Sequence, residues 1–389
     1  MLVPVQILRA VAALMVVWHH GRHEIGLLAA RGAGGPLAPE TLLPWWAGVD
    51  LFFVISGFVI VHASRSLAGM PGARGRFLAH RIARVVPLYW LTTLLYLAVA
   101  LAAPGLLGEA GALARDPGYV AASFLFWPMA RPDGSLQPLY GLGWTLNAEM
   151  FFYFLFALGL GAGLRGAVAW LVIALAGLVV ALTGLVFALT GSLAAGALVP
   201  LPSPLLFWAD PIVLEFALGA ALGLSRTEGL RLSGPARLAL EGLGLAGLLL
   251  AALHLAGAGE VPGLLRPVLV GLPALCLVAG AALGPAGVTT LPRPARWLAA
   301  LGDASYALYL VHPFALRAGR EVLVRLGLAG PWHPWGSLVT LTLLSVAAAL
   351  AVHRLVERPL TRRLRGALAA WENRVGASRH PVFTGGEER

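Results

Sequence analysis

The chain has 389 residues, of which 59% are hydrophobic and only 12% charged. A soluble domain cannot hide that much apolar surface, so composition points to a polytopic membrane protein. The net charge of +10, carried by 28 arginines and no lysine, would suit nucleic acid; the arginines are instead spread over loops at one membrane face, and nucleic-acid binding is set aside.

Apolar segments of spanning length fall at about 5–23, 45–64, 83–103, 144–162, 167–189, 203–224, 238–257, 264–284, 297–317 and 335–354. The expected fold is an all-α integral membrane protein, a polytopic bundle of about ten transmembrane helices. The expected division is a membrane domain over 1–360 and a basic, partly disordered tail over 361–389. The first apolar segment shows no small-residue cleavage site and is expected to be retained.

That first span carries Arg9 and His20 on either side of the run Ala10–Trp18. Eleven residues at about 100° each return to within roughly 20° of the starting face and climb about 16 Å. The two side chains therefore project from one face, three turns apart, with His19 roughly 80° away. Ionisable groups at that depth line a cavity or a site; the plainer alternative is an Arg9 that reaches back to the headgroups and histidines that end the helix.

The second span opens on Asp50 and carries Ser56-Gly57, a pair suited to close helix packing. Asp50 can be read as a buried acid or as a group solvated at the outer interface. Before the third span, Arg81 and Arg84 are three apart and face the same way in a helix. Two guanidinium forks at that spacing suit a phosphate-bearing ligand, or else topology-setting charge and anionic lipid. Pro87 fits the first turn of that span. The stretch Tyr119–Ala130 is too short to span and is expected to be re-entrant or interfacial.

Further along, Trp144-Thr145-Leu146 leads to Glu149 and Tyr153 inside a span. A carboxylate there must be paired, protonated or wetted, and an arginine or histidine partner is expected. Glu215, after Asp210-Pro211, poses the same problem, with structural pairing and function both open. Ser305, Tyr309 and His312 share one face by i, i+4 and i, i+7 spacing, a polar stripe turned toward the bundle interior. The lone cysteine, Cys276, sits in an apolar run and reads as packing. No metal signature, phosphate-binding glycine loop or nucleophile elbow is present, and no metal is expected.

With the N-terminus in the cytosol, 20 arginines fall on the cytosolic side and 8 on the other. That asymmetry supports an inner-membrane protein with both termini cytosolic.

Taken together these segments resemble the membrane-bound acyltransferase family three, from Gln6 to about Arg362. The correspondence runs through Arg9 and His20, the segment Asp50–Phe58, Arg81 and Arg84, and Trp144-Thr145-Leu146 with Glu149 and Tyr153. It continues through Gly302, Ser305, Tyr306, Tyr309 and His312 to Glu357-Arg358-Pro359. Many members place a second glutamate after the tryptophan motif; here Met150 follows Glu149, so no second carboxylate acts there. The resemblance implies transfer of an acyl group, usually acetyl, from acyl-coenzyme A to a hydroxyl on an envelope carbohydrate. It makes His20, Arg9 and Glu149 candidates for the chemistry, with His20 as general base or transient acyl carrier. Arg81 and Arg84 become candidates for gripping the donor nucleotide. Asp50, Ser56, Trp144, Tyr306, Tyr309 and His312 become substrate-contacting or supporting residues. Expected partners are acyl-coenzyme A, a carbohydrate acceptor and membrane lipid. Two alternatives stand beside this reading: a transporter or flippase of lipid-linked saccharide, and an acyltransferase of a small glycosylated metabolite.

Overall fold

The computed structural model describes residues 2–31, 37, 44–103, 109–191, 201–258, 263–285, 292–328 and 334–379. Among them every regular element is helical. The longer helices are α1 (Val3–Ala30), α2 (Gly48–Ser64), α3 (Ala73–Ala102), α6 (Trp144–Gly159), α7 (Gly163–Thr190), α10 (Gly234–Ala258), α13 (Ser305–Arg325), α14 (Pro334–Val352) and α15 (Arg358–Arg379). Shorter helices are α4 (Glu109–Leu113), α5 (Pro117–Phe124), α8 (Ser203–Trp208), α9 (Leu214–Thr227), α11 (Leu272–Ala282) and α12 (Arg293–Asp303). Seven stretches of the described residues are long and apolar enough to cross a membrane by length and composition. One of them, Gly141–Thr190, contains both α6 and α7. They form a hairpin that turns at Leu160–Ala162 and Gly163, where φ is +82°; Trp170 Nε1 donates to the Leu155 carbonyl across it at 3.0 Å.

Two of the ten expected spans are interrupted. The segment 203–224 breaks between α8 and α9, where Asp210 caps the next turn by accepting from Ile212 N at 2.9 Å; Pro211 has no N–H to continue a helix through it. The segment 297–317 parts at Ala304 between α12 and α13. The expected third span also starts too late. α3 begins at Ala73, directly after Gly72 in the left-handed region (φ +74°). Pro87 therefore lies inside the helix rather than in its first turn, and the Ala83 carbonyl loses its ordinary donor. Beyond the last span, a five-residue π-helical turn, His353–Glu357, joins α14 to α15. The expected tail is thus helical to Arg379, and residues 380–389 lie outside the described ones. The Tyr119–Ala130 stretch holds only α5 and the turn after it. Tyr89 Oη and Trp90 Nε1 of α3 clip it by donating to the Ser123 and Phe124 carbonyls, each at 2.9 Å.

Two glycine crossings set the positions of the functional helices. α2 lies against α9 so closely that a Cβ on Gly57 or Gly219 would collide with the backbone carbonyl of Phe216 or Val54. α12 meets α1 at Gly302, where a Cβ would strike the Gln6 carbonyl. Close backbone approach through small residues is how helices associate where lipid removes the hydrophobic driving force. Along α1, contacts with α12 and α13 follow in the same chain order: Gln6 with Asp303, Arg9 with Ser305, His20 with His312, Glu24 with Arg320. α1 and α13 therefore run parallel. The outward faces of α7, α10 and α14 expose Ile173, Val180, Leu250 and Leu343, as a lipid-facing surface does.

Candidate functional site

A cavity of roughly 810 Å³, counting its open mouth, is enclosed by α1, α2, α3, α6 and α13. Of the residues singled out from sequence, Arg9, Ser56, Arg81, Arg84, Thr145, Leu146, Glu149, Tyr153, Ser305, Tyr306 and Tyr309 line it. Its walls are otherwise apolar, with Val49, Phe52, Phe53 and Ile55 from α2. His20, Asp50, Trp144 and His312 are not among the lining residues. Trp144 packs edge-on against Phe53, with ring centroids 5.9 Å apart.

Glu149 is gripped by hydroxyls. Its Oε1 accepts from Ser56 Oγ at 2.6 Å and from Tyr153 Oη, one turn along the same helix. The direct arginine or histidine partner expected from sequence is absent among the described residues. Charge compensation comes across the cavity instead, from Arg9 and Arg81. Ser56 and Gly57 thus divide the two readings of their pair: the serine holds the site's carboxylate and the glycine makes the crossing. Arg9, only 8% exposed, donates to Gln6 Oε1 at 3.2 Å and to Ser305 Oγ at 2.9 Å. Gln6 in turn donates to Asp303. The guanidinium is fixed from both α1 and α13, so it does not reach back to the headgroups. Gln6 was not foreseen; its place three residues before Arg9 is the signal that marks it.

Arg81 lies over the Phe77 and Tyr153 rings, 5.5 and 5.9 Å from their centroids. Its buried Nε finds no hydrogen-bond partner among the described residues. No hydrogen bond or ion pair among the described residues ties down Arg84 either. A half-buried guanidinium with an unmet buried donor is costly unless an anion comes to meet the group. The cavity therefore suits a ligand with an anionic head and a narrow, largely apolar arm.

Past the inner end of the cavity stands a histidine pair. Tyr309 lines the cavity, bonds to Thr145 Oγ1 at 2.8 Å and places its ring 6.2 Å from that of His312. His312 Nε2 is 3.3 Å from His20 Nδ1. His20 Nδ1 also lies 2.9 Å from the Val16 carbonyl, and His312 Nδ1 lies 3.0 Å from that of Leu308. Carbonyl oxygens only accept, so both rings carry their proton on Nδ1. That leaves the lone pair of His20 on Nε2. The stripe Ser305, Tyr309, His312 thus meets three partners in turn: Arg9, Thr145 and His20.

Asp50 lies apart from the cavity. It is fully buried and bidentate with Arg266, Oδ1 to Nε at 2.8 Å and Oδ2 to Nη2 at 3.0 Å. It is therefore not solvated at an interface. Arg266 sits over the Trp46 ring at 5.1 Å. Glu215 is fully buried close by, against Gly271.

A family profile described as an acyltransferase domain matches residues 5–354. The exopolysaccharide production protein ExoZ of Rhizobium meliloti (strain 1021) is 33% identical over 333 residues, covering 82% of this chain and 90% of that protein. No solved structure matches the chain.

Proposed function

The chain belongs to the acyltransferase family whose profile spans it and is an enzyme of that kind; on that premise we propose that it moves an acyl group, acetyl foremost, from acyl-coenzyme A to a hydroxyl of a cell-envelope or exported carbohydrate. The observation that carries the donor is the pair Arg81 and Arg84, two guanidinium groups lining a partly apolar cavity with no carboxylate bonded to either among the described residues. An acyl thioester on a phosphorylated carrier has the matching form. The likeness to an exopolysaccharide production protein supports a saccharide acceptor.

In this reading the donor enters at Arg81 and Arg84, and its thioester comes to rest at the Tyr309 end. His20 Nε2 removes the proton of the acceptor hydroxyl as its oxygen attacks the thioester carbonyl. The C–O bond forms, the C–S bond breaks, and the coenzyme leaves as thiolate, to be protonated from the imidazolium or solvent. A positioned base of this type contributes about 10²–10⁴ in rate. His312 and the Val16 carbonyl orient the ring; Glu149, held by Ser56 and Tyr153, balances the charge of Arg9 and Arg81. We place the enzyme in the inner membrane with both termini cytosolic. The α6–α7 hairpin, α9 and α13 bring the seven long apolar stretches to ten passes. Parallel packing of α1 and α13 supports this count, because it needs an odd number of crossings between them.

The test is transfer by purified protein in lipid nanodiscs, with labelled acetyl-coenzyme A and an oligosaccharide acceptor. Label in the saccharide supports the reading. Saccharide binding or movement across the bilayer without label transfer returns the protein to the transporter class.

A further inference from the structure

A second opening adjoins the first. Counting its open mouth it encloses roughly 1440 Å³, and Arg9 and Arg84 line both spaces. The new part is walled by α15 and the turn before it, through Arg354, Arg358, Arg362 and Arg365. Residues 358, 362 and 365 stand at i, i+4 and i, i+7, on one face of the helix. In the sequence, Arg354, Arg362 and Arg365 stand out only as charge that sets topology, and Arg358 also as part of the Glu357-Arg358-Pro359 match.

The balance of charge in this vestibule is lopsided. Six arginines line it against two carboxylates, Asp303 and Glu357. Both carboxylates are already engaged: Glu357 with His353 Nδ1 at 2.7 Å, Asp303 with Gln6. Arg84, Arg354, Arg358, Arg362 and Arg365 make no hydrogen bond or ion pair among the described residues. Arg84 acts on Arg9 and on Arg365 as a like charge. An excess of four positive charges facing one space is unfavourable in the empty protein and is relieved by a polyanion.

We propose that the Arg358, Arg362 and Arg365 row, with Arg84, holds the nucleotide phosphates of the donor, so that α15 forms the outer half of the coenzyme site. The inference rests on the donor assignment above. A phosphate-rich head in the vestibule leaves a thin arm to pass Arg9 and Arg84 into the inner cavity. Recognition of several phosphates by a row of forks also makes the terminal phosphates of the carrier, rather than its thioester, the main source of donor affinity. Anionic lipid headgroups carry the same phosphate chemistry, and the test separates the two sources.

The experiment compares three donors, acetyl-coenzyme A, acetyl-dephospho-coenzyme A and S-acetyl-N-acetylcysteamine, in nanodiscs of phosphatidylcholine alone and with phosphatidylglycerol. The R358A/R362A/R365A variant should lower the ratio of kcat/KM for acetyl-coenzyme A over the cysteamine thioester by roughly tenfold or more. It should also erase the preference over the dephospho donor, in both lipid compositions. The R358K/R362K/R365K variant should recover part of the ratio. Adenosine 3′,5′-bisphosphate should compete with acetyl-coenzyme A on the unaltered protein, a measurement that needs no variant. An unchanged ratio in a protein that does use acetyl-coenzyme A overturns this inference and leaves the proposed function standing. A fall seen only with phosphatidylglycerol assigns the row to lipid and also overturns it. No use of acetyl-coenzyme A by the unaltered protein removes both.

Discussion

His20 is oriented by its own helix and by a neighbour from the far end of the chain. The Val16 carbonyl one turn back and His312 across the interface both meet Nδ1, which leaves Nε2 as the basic atom. His20→Ala should cut transfer by about 10²–10⁴ while the protein stays monodisperse in detergent with its melting temperature nearly unchanged. Near-normal turnover in that variant would take the imidazole out of the mechanism. Asp50 makes the opposite prediction. Removing it strands Arg266, whose side chain is 27% exposed, so Asp50→Ala should destabilise by about 3 kcal/mol, the low end for breaking a buried pair. Thermal unfolding in detergent measures this, and an unchanged melting temperature would show the pair to be dispensable. Residue types were legible from sequence; partners were less so. Arg9 with His20 was marked by spacing along one helix. The assignment of Glu149 to Ser56, and of Asp50 to Arg266, depends on which helices adjoin, which no local pattern encodes.

The helices were legible where their pattern is local and obscure where it is not. Apolar runs placed α2, α6, α7, α10 and α14 to within a few residues, while α1 continues seven residues past its apolar run, to Ala30. The start of α3 was misplaced because Arg74, Arg76, Arg81 and Arg84 look like a loop by hydropathy yet continue the helix outside the apolar layer. α15 was missed for the same reason. Packing at the crossings gives a paired test. Gly219→Leu should overpack the α2–α9 contact against Val54, a cost of about 1–3 kcal/mol or more, and displace Ser56 from Glu149 with it. Gly177, in α7, has no atom within 4 Å of an added Cβ, so Gly177→Ala should leave the melting temperature level or slightly raised. Equal effects of the two changes would refute a specific crossing.

At the scale of the molecule, Cys276 is the only cysteine, so a cysteine-free background for labelling needs one substitution, Cys276→Ala. In it, Arg374→Cys on α15 should resist a membrane-impermeant maleimide in intact spheroplasts and react after lysis. Asp133→Cys, after α5, should react before lysis. Reversed labelling would invert the topology and move the arginine vestibule to the wrong side for a cytosolic donor. The parallel seam of α1 with α12 and α13 has a further consequence, one for biogenesis. Arg9 and Ser305 are 296 residues apart, as are Glu24 and Arg320. At about 5–20 residues per second, the ribosome needs some tens of seconds to supply those partners. Through that interval the nascent first helix must wait with its cation, imidazole and carboxylate unmatched. Chains released before residue 320 should therefore be prime clients of membrane quality control, however well their early segments insert.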